Sequence, residues 1–442
     1  MSHAIELPVW TVLPFAGLLL CIAVLPLVVP HAWERNRTKG LVAALFAAPV
    51  VVYLVAAHGA AGVHQLLEKA HEYVAFIVLL GALFVVSGGI VIRGSLSGTP
   101  LLNTALLAIG GAIASFVGTT GASMLLVRPL LRANASRQRK AHIVVFFIFV
   151  VSNCGGLLTP LGDPPLFLGF LKGVPFGWTF RLWREWLLVN GLLLLLFNLW
   201  DQRVFDREER ERPGSQLEEV QRHAPLRIAG QRNLVFLAAI VAIVYASGSG
   251  LGAGGAPWPP GLQEVLMAAV AIAAYLATPA AYHRENGFGF GPIIEVALLF
   301  AGIFVTMAPA LLLLNQHAPS FGIREPWQFF WATGVLSSFL DNAPTYLTFA
   351  ATAVGLDGVG LEGRYLAEYL ALGPRAHEIL AAISTGAVFM GANTYIGNGP
   401  NFMVKAIAEQ SGVAMPGFFG YMAYAGAVLL PLFVLVTFVF FV

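Results

Sequence analysis

The sequence predicts an all-α polytopic membrane protein made of two inverted repeats, each with a re-entrant helical hairpin and a broken transmembrane helix. Three observations lead there. Of 442 residues, 58% are hydrophobic and 11% charged, and the mean hydropathy is +0.77, values outside the range of an ordinary soluble domain. Apolar runs recur along nearly the whole chain, and a helix needs about 20 residues to cross the hydrocarbon core, so about ten crossings fit. Short motifs also recur in the same order in the two halves.

The apolar runs place spans at 8–29, 40–57, 73–92, 142–170, 186–200, 232–248, 263–281, 291–314, 378–410 and 416–441. Two further stretches, 100–131 and 326–355, are interrupted midway by GTTGAS (118–123) and DNAPT (341–345). Each half of these is too short to cross, so each stretch is expected to enter and leave by one face. The opening MSHAIELPVW has no positively charged leader, and the apolar run after it is expected to be a retained span.

Arg and Lys set the orientation. With Arg35, Arg37, Lys39, Arg93, Arg128, Arg132, Arg137, Arg139, Lys140, the arginines of 203–232, Arg284 and Lys405 inside, the cytoplasm receives 18 of the 25 basic residues. Ten crossings then put both termini outside, and the two hairpins enter from opposite faces. The expected location is the inner (cytoplasmic) membrane. Segment 201–231 is hydrophilic with near-balanced charge, and is expected to be a solvated cytoplasmic linker between repeats 1–200 and 232–442. The formal charge of +2 and the lack of a long basic tract argue against a nucleic-acid partner. Cys21 and Cys154 lack metal-ligand or disulfide spacing and are expected to be free thiols. No cofactor is expected. Trp178, Trp183, Trp186 and Trp327 suggest an outer aromatic belt.

The internal repeat rests on three pairs. LLGALFVVSGGI (79–90) matches LFAGIFVTMAPA (299–310), ASFVGTTGAS (114–123) matches SSFLDNAPTY (337–346), and TPLGDPPLFL (159–168) matches TYIGNGPNFM (394–403). The offsets are 220, 223 and 235 residues, so two loop insertions account for the drift. In the third pair, Gly155, Gly156, Pro160, Gly162, Pro164 and Pro165, and then Gly397, Gly399 and Pro400, break a helix at mid-span. Irregular backbone at that depth survives where it is buried in protein or lines a wet cavity.

Such breaks free carbonyl groups and half-helix ends for an ion. Ser152, Asn153, Thr159 and Asp163 lie at the first break, and Asn393, Thr394, Asn398 and Asn401 at the second. Thr119 and Thr120 lie at the first hairpin tip, Asp341 and Asn342 at the second. The two breaks and two tips are expected to meet at one site. A charged aspartate at mid-bilayer costs about 2.5–3.5 kcal/mol on insertion scales, so Asp163 and Asp341 are the leading ion-site candidates, with Na⁺ as the expected cation. Capping of a half-helix is the structural alternative for both.

At these motifs the chain resembles the ion transporter superfamily of NhaD-type sodium/proton antiporters, arsenite permeases, citrate transporters and dicarboxylate carriers. Asn153-Cys154-Gly155-Gly156 through Thr159-Pro160-Leu161-Gly162-Asp163 is similar to the NhaD branch, and Asp341-Asn342-Ala343-Pro344 to the hairpin tip of NhaD and arsenite permeases. The asparagine-rich GANTYIGNGPN (391–401) is nearer the permease and citrate branches. The resemblance implies a scaffold of outer helices, a moving unit carrying hairpins and broken helices, and a homodimer through the scaffold.

A carboxylate that holds either a proton or a metal cation suits sodium/proton antiport by alternating access. The alternatives are Na⁺- or H⁺-coupled transport of citrate or another small carboxylate, arsenite or other oxyanion efflux, and intramembrane aspartyl proteolysis. Proteolysis is disfavoured: such proteases resemble a Tyr-Asp followed by Gly-x-Gly-Asp, whereas here Pro160 replaces the first glycine, Leu340 replaces the tyrosine, and the Gly-Asp acid comes first. The chain is therefore expected to be a transporter and not an enzyme.

Overall fold

A computed structural model describes residues 7–95, 97–221, 224–253 and 258–442. Among them, eight helices are long and apolar enough to cross a membrane, so the protein is a multi-pass integral membrane protein of α-helical class.

In chain order, α1 (Leu13–Val28), the short α2 (Pro30–Trp33) and α3 (Asn36–Gly88) come first. Between spans 40–57 and 73–92 the sequence suggests a loop, but the chain stays helical and bends at one residue. Gly59 adopts φ 53°, ψ −125°, and a Cβ on Gly62 would lie 2.0 Å from the Leu54 carbonyl oxygen, so the second arm folds back on the first. The charged residues of that stretch find partners. Lys69 meets Glu72 (3.0 Å), and Glu72 pairs with Lys172 at the far end of the first broken helix.

Strand β1 (Val91–Ser95) precedes the first hairpin, α4 (Pro100–Val117) and α5 (Thr119–Ala133), which turn about Gly118 at φ 81°. The first broken helix follows as α6 (Ala141–Val150), an irregular stretch with one 3₁₀ turn, and α7 (Pro164–Leu171). Then come α8 (Trp183–Glu211), α9 (Ser215–Gln221) and β2 (Ala224–Ala229). The second half holds α10 (Arg232–Ser249), α11 (Leu262–Ala277), α12 (Ala280–Glu285) and α13 (Gly291–His317). Its hairpin is α14 (Pro326–Phe339) and α15 (Asn342–Leu356), and α16 (Tyr365–Ala371) follows. The second broken helix is α17 (Pro374–Met390) and α18 (Gly399–Gln410), and α19 (Phe418–Val436) closes the chain.

Two sets of helices pack together. Helices α1, α10, α11 and α13 surround α3, with Phe76 stacked on Phe300 at 4.8 Å. The hairpins and broken helices pack on each other, backed by α8 and α19, and meet the first set where α13 contacts α15 and α3 contacts α5.

The linker expectation needs correction. The boundary drawn at 200/201 falls inside α8, and Asp201 is fully buried rather than solvated. Arg137 binds both Asp201 and Glu208 at 2.8 Å, His142 lies 2.9 Å from Asp201, and Asn103 donates to Asp201 at 2.9 Å. The segment then returns as β2, paired antiparallel with β1. So 201–231 clamps the base of the first hairpin to the first broken helix. The expected aromatic belt needs correction at Trp178 and Trp186. Trp183 and Trp327 are exposed, whereas Trp178 is buried and donates to His377 Nδ1 (2.7 Å), and Trp186 donates to the Gly155 carbonyl (3.0 Å).

Candidate functional site

The site is assembled from equivalent pieces of the two halves. In the first, Thr159 donates its hydroxyl to the Ser115 carbonyl, accepts from Leu161 N–H (3.1 Å), and Ser115 Oγ donates to the Gly155 carbonyl (2.6 Å). In the second, Thr394 donates to the Ser338 carbonyl, accepts from Ile396 N–H (3.2 Å), and Ser338 Oγ donates to the Met390 carbonyl (3.2 Å). Every one of these residues pairs with its counterpart at the sequence offset of its motif. These bonds take up carbonyl groups that the breaks and the ends of the hairpin helices release, as low-dielectric surroundings demand.

Glycine is required at two matched positions. A Cβ on Gly162 would stand 2.1 Å from the Gly156 carbonyl oxygen, and one on Gly397 would stand 2.6 Å from that of Gly391. The breaks are therefore close backbone crossings, not merely interrupted helices.

Each break ends in an extended residue that opens a new helix: Asp163 at φ −147°, ψ 144°, and Asn398 at φ −152°, ψ 139°. Neither side chain caps its own helix. Instead they face each other, Asn398 Nδ2 donating to Asp163 Oδ1 at 3.2 Å. The hairpin tips supply the remaining donors. Thr119 Oγ1 donates to Asp163 Oδ1 (2.8 Å), and its repeat counterpart Asn342 donates through Nδ2 to Oδ2. Asp163, 1% exposed, thus accepts from three neutral donors, one on each of three other elements, and among the described residues has no cationic partner.

Bonds to a charged group contribute about 1.5–3 kcal/mol each, which offsets a desolvation penalty of several kcal/mol. Helix polarity adds to this. Thr119, Pro164, Asn342 and Gly399 are the first residues of α5, α7, α15 and α18, so four positive helix ends meet at this carboxylate.

Around it runs a second ring. Asn153 Nδ2 donates to Asn401 Oδ1 (2.7 Å) and to the Ile148 carbonyl (2.8 Å), while Asn398 also reaches Asn153 Oδ1 (3.2 Å) and the Ser152 carbonyl (3.3 Å). Asn401 Nδ2 satisfies the Gly391 and Thr394 carbonyls (2.8 and 2.9 Å). Ser152 Oγ meets Ser123 Oγ at 2.8 Å. Asn342 Oδ1 is buried without a partner, a free acceptor beside the carboxylate.

The other expected residues lie further out. Asp341 caps α15, accepting from Ala343 N–H at 3.0 Å, and makes no bond to the Asp163 cluster. Asn393 donates to Ser338 Oγ (2.9 Å), inside the second hairpin contact. Thr120 lines a cavity of about 70 Å³ together with Thr119, Gly162, Pro164 and, from the surrounding helices, Leu83, Phe84 and Ile293. Ser115, Ser123 and Ser338 were not singled out from the sequence, although all three lie within the matched hairpin motifs. Among the described residues, no three His, Cys, Asp or Glu side chains group to hold a metal ion, so a cation here would rest on one carboxylate with hydroxyl, amide and carbonyl oxygens.

A family model described as "Putative citrate transport" matches residues 4–441. The chain belongs to that family. The match spans both halves and agrees with the resemblance to the ion transporter superfamily, whose members include citrate transporters. A search of curated proteins returns no match. The protein is accordingly a transporter of small solutes embedded in the bilayer.

Proposed function

We propose that this transporter couples movement of a citrate-class carboxylate to a cation, Na⁺ or H⁺, that binds at Asp163. The observation that carries the reading is the meeting of four helix N-termini around a buried carboxylate whose partners are all neutral donors. The helix ends favour an anion, so a carboxylate substrate needs no Arg or Lys. Asp163 alone would repel that substrate. A cation or proton on Asp163 removes the repulsion, and this is the coupling.

The 70 Å³ cavity beside Thr119 and Thr120 holds about two waters, at about 30 Å³ each, and is too small for a tricarboxylate. Substrate binding therefore requires the hairpin and broken-helix unit to shift against the α3 and α13 scaffold. The hairpins entering from opposite faces, with both termini outside an inner membrane, give that unit two equivalent end states. Asp341, tied to its helix cap, orders the second tip so that Asn342 reaches Asp163.

A second reading, cation/proton exchange without an organic substrate, is favoured by the lack of a basic side chain on the Asp163 cluster and by the small cavity. Uptake of labelled citrate into proteoliposomes under imposed Na⁺ or pH gradients separates the two. Gradient-driven citrate accumulation that Asp163→Asn abolishes supports coupled carboxylate transport. Proton release on adding Na⁺ alone, with no citrate uptake, selects exchange.

A further inference from the structure

Between α8 and α19, away from the carboxylate centre, lies a groove of about 460 Å³. Leu196 and Leu199 of α8 and Val428 of α19 wall it. At its end, where the apolar part of α8 gives way to the polar part, stand Trp200, Arg203 and Arg207. Trp200 is fixed by stacking on Tyr424 at 5.6 Å.

The two arginines are one helical turn apart and exposed, and neither has an ion pair among the described residues. Nearby, Arg137, Arg139 and Arg212 hold carboxylates, while Arg210, also exposed, does not line the groove. On the opposite face of the same stretch, Asp201, Phe205 and Glu208 are buried. Protein contacts thus account for one face of this helix and leave two guanidinium groups, above an apolar groove, without a counter-charge.

We propose that the groove binds one anionic phospholipid, with an acyl chain against Leu196, Leu199 and Val428 and the phosphate between Arg203 and Arg207. Planar guanidinium forks match phosphate oxygens, and long basic side chains at a span end sit at headgroup level. A zwitterionic lipid brings its own cation to the same place and binds less well. The lipid steadies the stretch of α8 whose other face, through Asp201 and Glu208, holds Arg137 at the base of the first hairpin.

The test is native mass spectrometry of the full-length protein released from membranes with equal phosphatidylglycerol and phosphatidylcholine. Wild type retains phosphatidylglycerol selectively. At about fivefold per arginine, Arg203→Gln with Arg207→Gln lowers that preference about 25-fold. Leu199→Trp, which fills the groove and keeps both arginines, also loses the lipid, and it decides the matter if the double variant misfolds. Arg232→Gln, an exposed cation at the start of α10, changes nothing. Undiminished phosphatidylglycerol retention in both groove variants overturns the proposal. Equal displacement of phosphatidylglycerol by inorganic phosphate overturns it too, since the headgroup charge alone would then suffice.

Discussion

Replacing Asp163 separates what the carboxylate does for the fold from what it does for transport. Asp163→Asn keeps shape and removes charge. Oδ1 still accepts from Thr119 and Asn398, but the new amide would confront Asn342 Nδ2. That conflict has a ready resolution, because Asn342 Oδ1 is unpartnered and a flip of the Asn342 amide turns it into the acceptor. Three bonds persist at the neutral value of about 1 kcal/mol each, and the cost of burying a charge disappears, so stability changes by about 1–2 kcal/mol at most. Asp163→Leu instead strands the Thr119 hydroxyl and the Asn342 amide at about 1–3 kcal/mol apiece, about 2–6 kcal/mol in all and a large share of the stability of a folded domain, while Asn398 keeps Asn153 and Ser152 as acceptors. Thermal unfolding of the purified proteins should show Asp163→Asn near wild type and Asp163→Leu far below it or not recoverable. Citrate uptake should be lost in both. A stable Asp163→Leu protein would refute the hydrogen-bonded centre, and a fully active Asp163→Asn would refute its role in coupling.

Three further outcomes follow from the same geometry. Gly162→Ala and Gly397→Ala each drive a methyl into backbone, so both should lower the unfolding temperature sharply, whereas Gly191→Ala, open on all sides, should not. Arg137→Gln takes the guanidinium away from buried Asp201 and Glu208, leaving only His142 beside Asp201, and should cost about 3–5 kcal/mol by denaturation, with Asp201→Asn partly restoring it. Leu217→Cys, exposed on α9, should react with a membrane-impermeant thiol reagent only from the cytoplasmic side; labelling from outside would reverse the assigned orientation and the termini with it.

Features set by local chemistry were legible in the sequence. Gly118 and Asp341-Asn342 announce the two tips, and the glycines and prolines of 155–165 and 397–400 announce the breaks. The repeat alignment pairs Thr119 with Asn342 and Asp163 with Asn398, the four residues that prove to touch. What escaped depends on partners far along the chain. Charge balance in 201–231 looks like solvation until Arg137 is seen to take two of its acids. The polar stretch 58–72 looks like a loop because Lys172, the partner of Glu72, lies a hundred residues away. Asp341 and Asp163 are alike in sequence as acids before a helix, yet only Asp341 caps; three donors from other elements draw Asp163 away from its own helix end.

If the coupling cation sits on Asp163, the charge it carries across the membrane depends on that carboxylate. Currents recorded from proteoliposomes on a solid-supported membrane, after a citrate jump at fixed Na⁺ and pH, test it most directly. Wild type should give a transient current, Thr119→Val a weaker one, and Asp163→Asn none at any pH or Na⁺ concentration. A wild-type current from Asp163→Asn would contradict it.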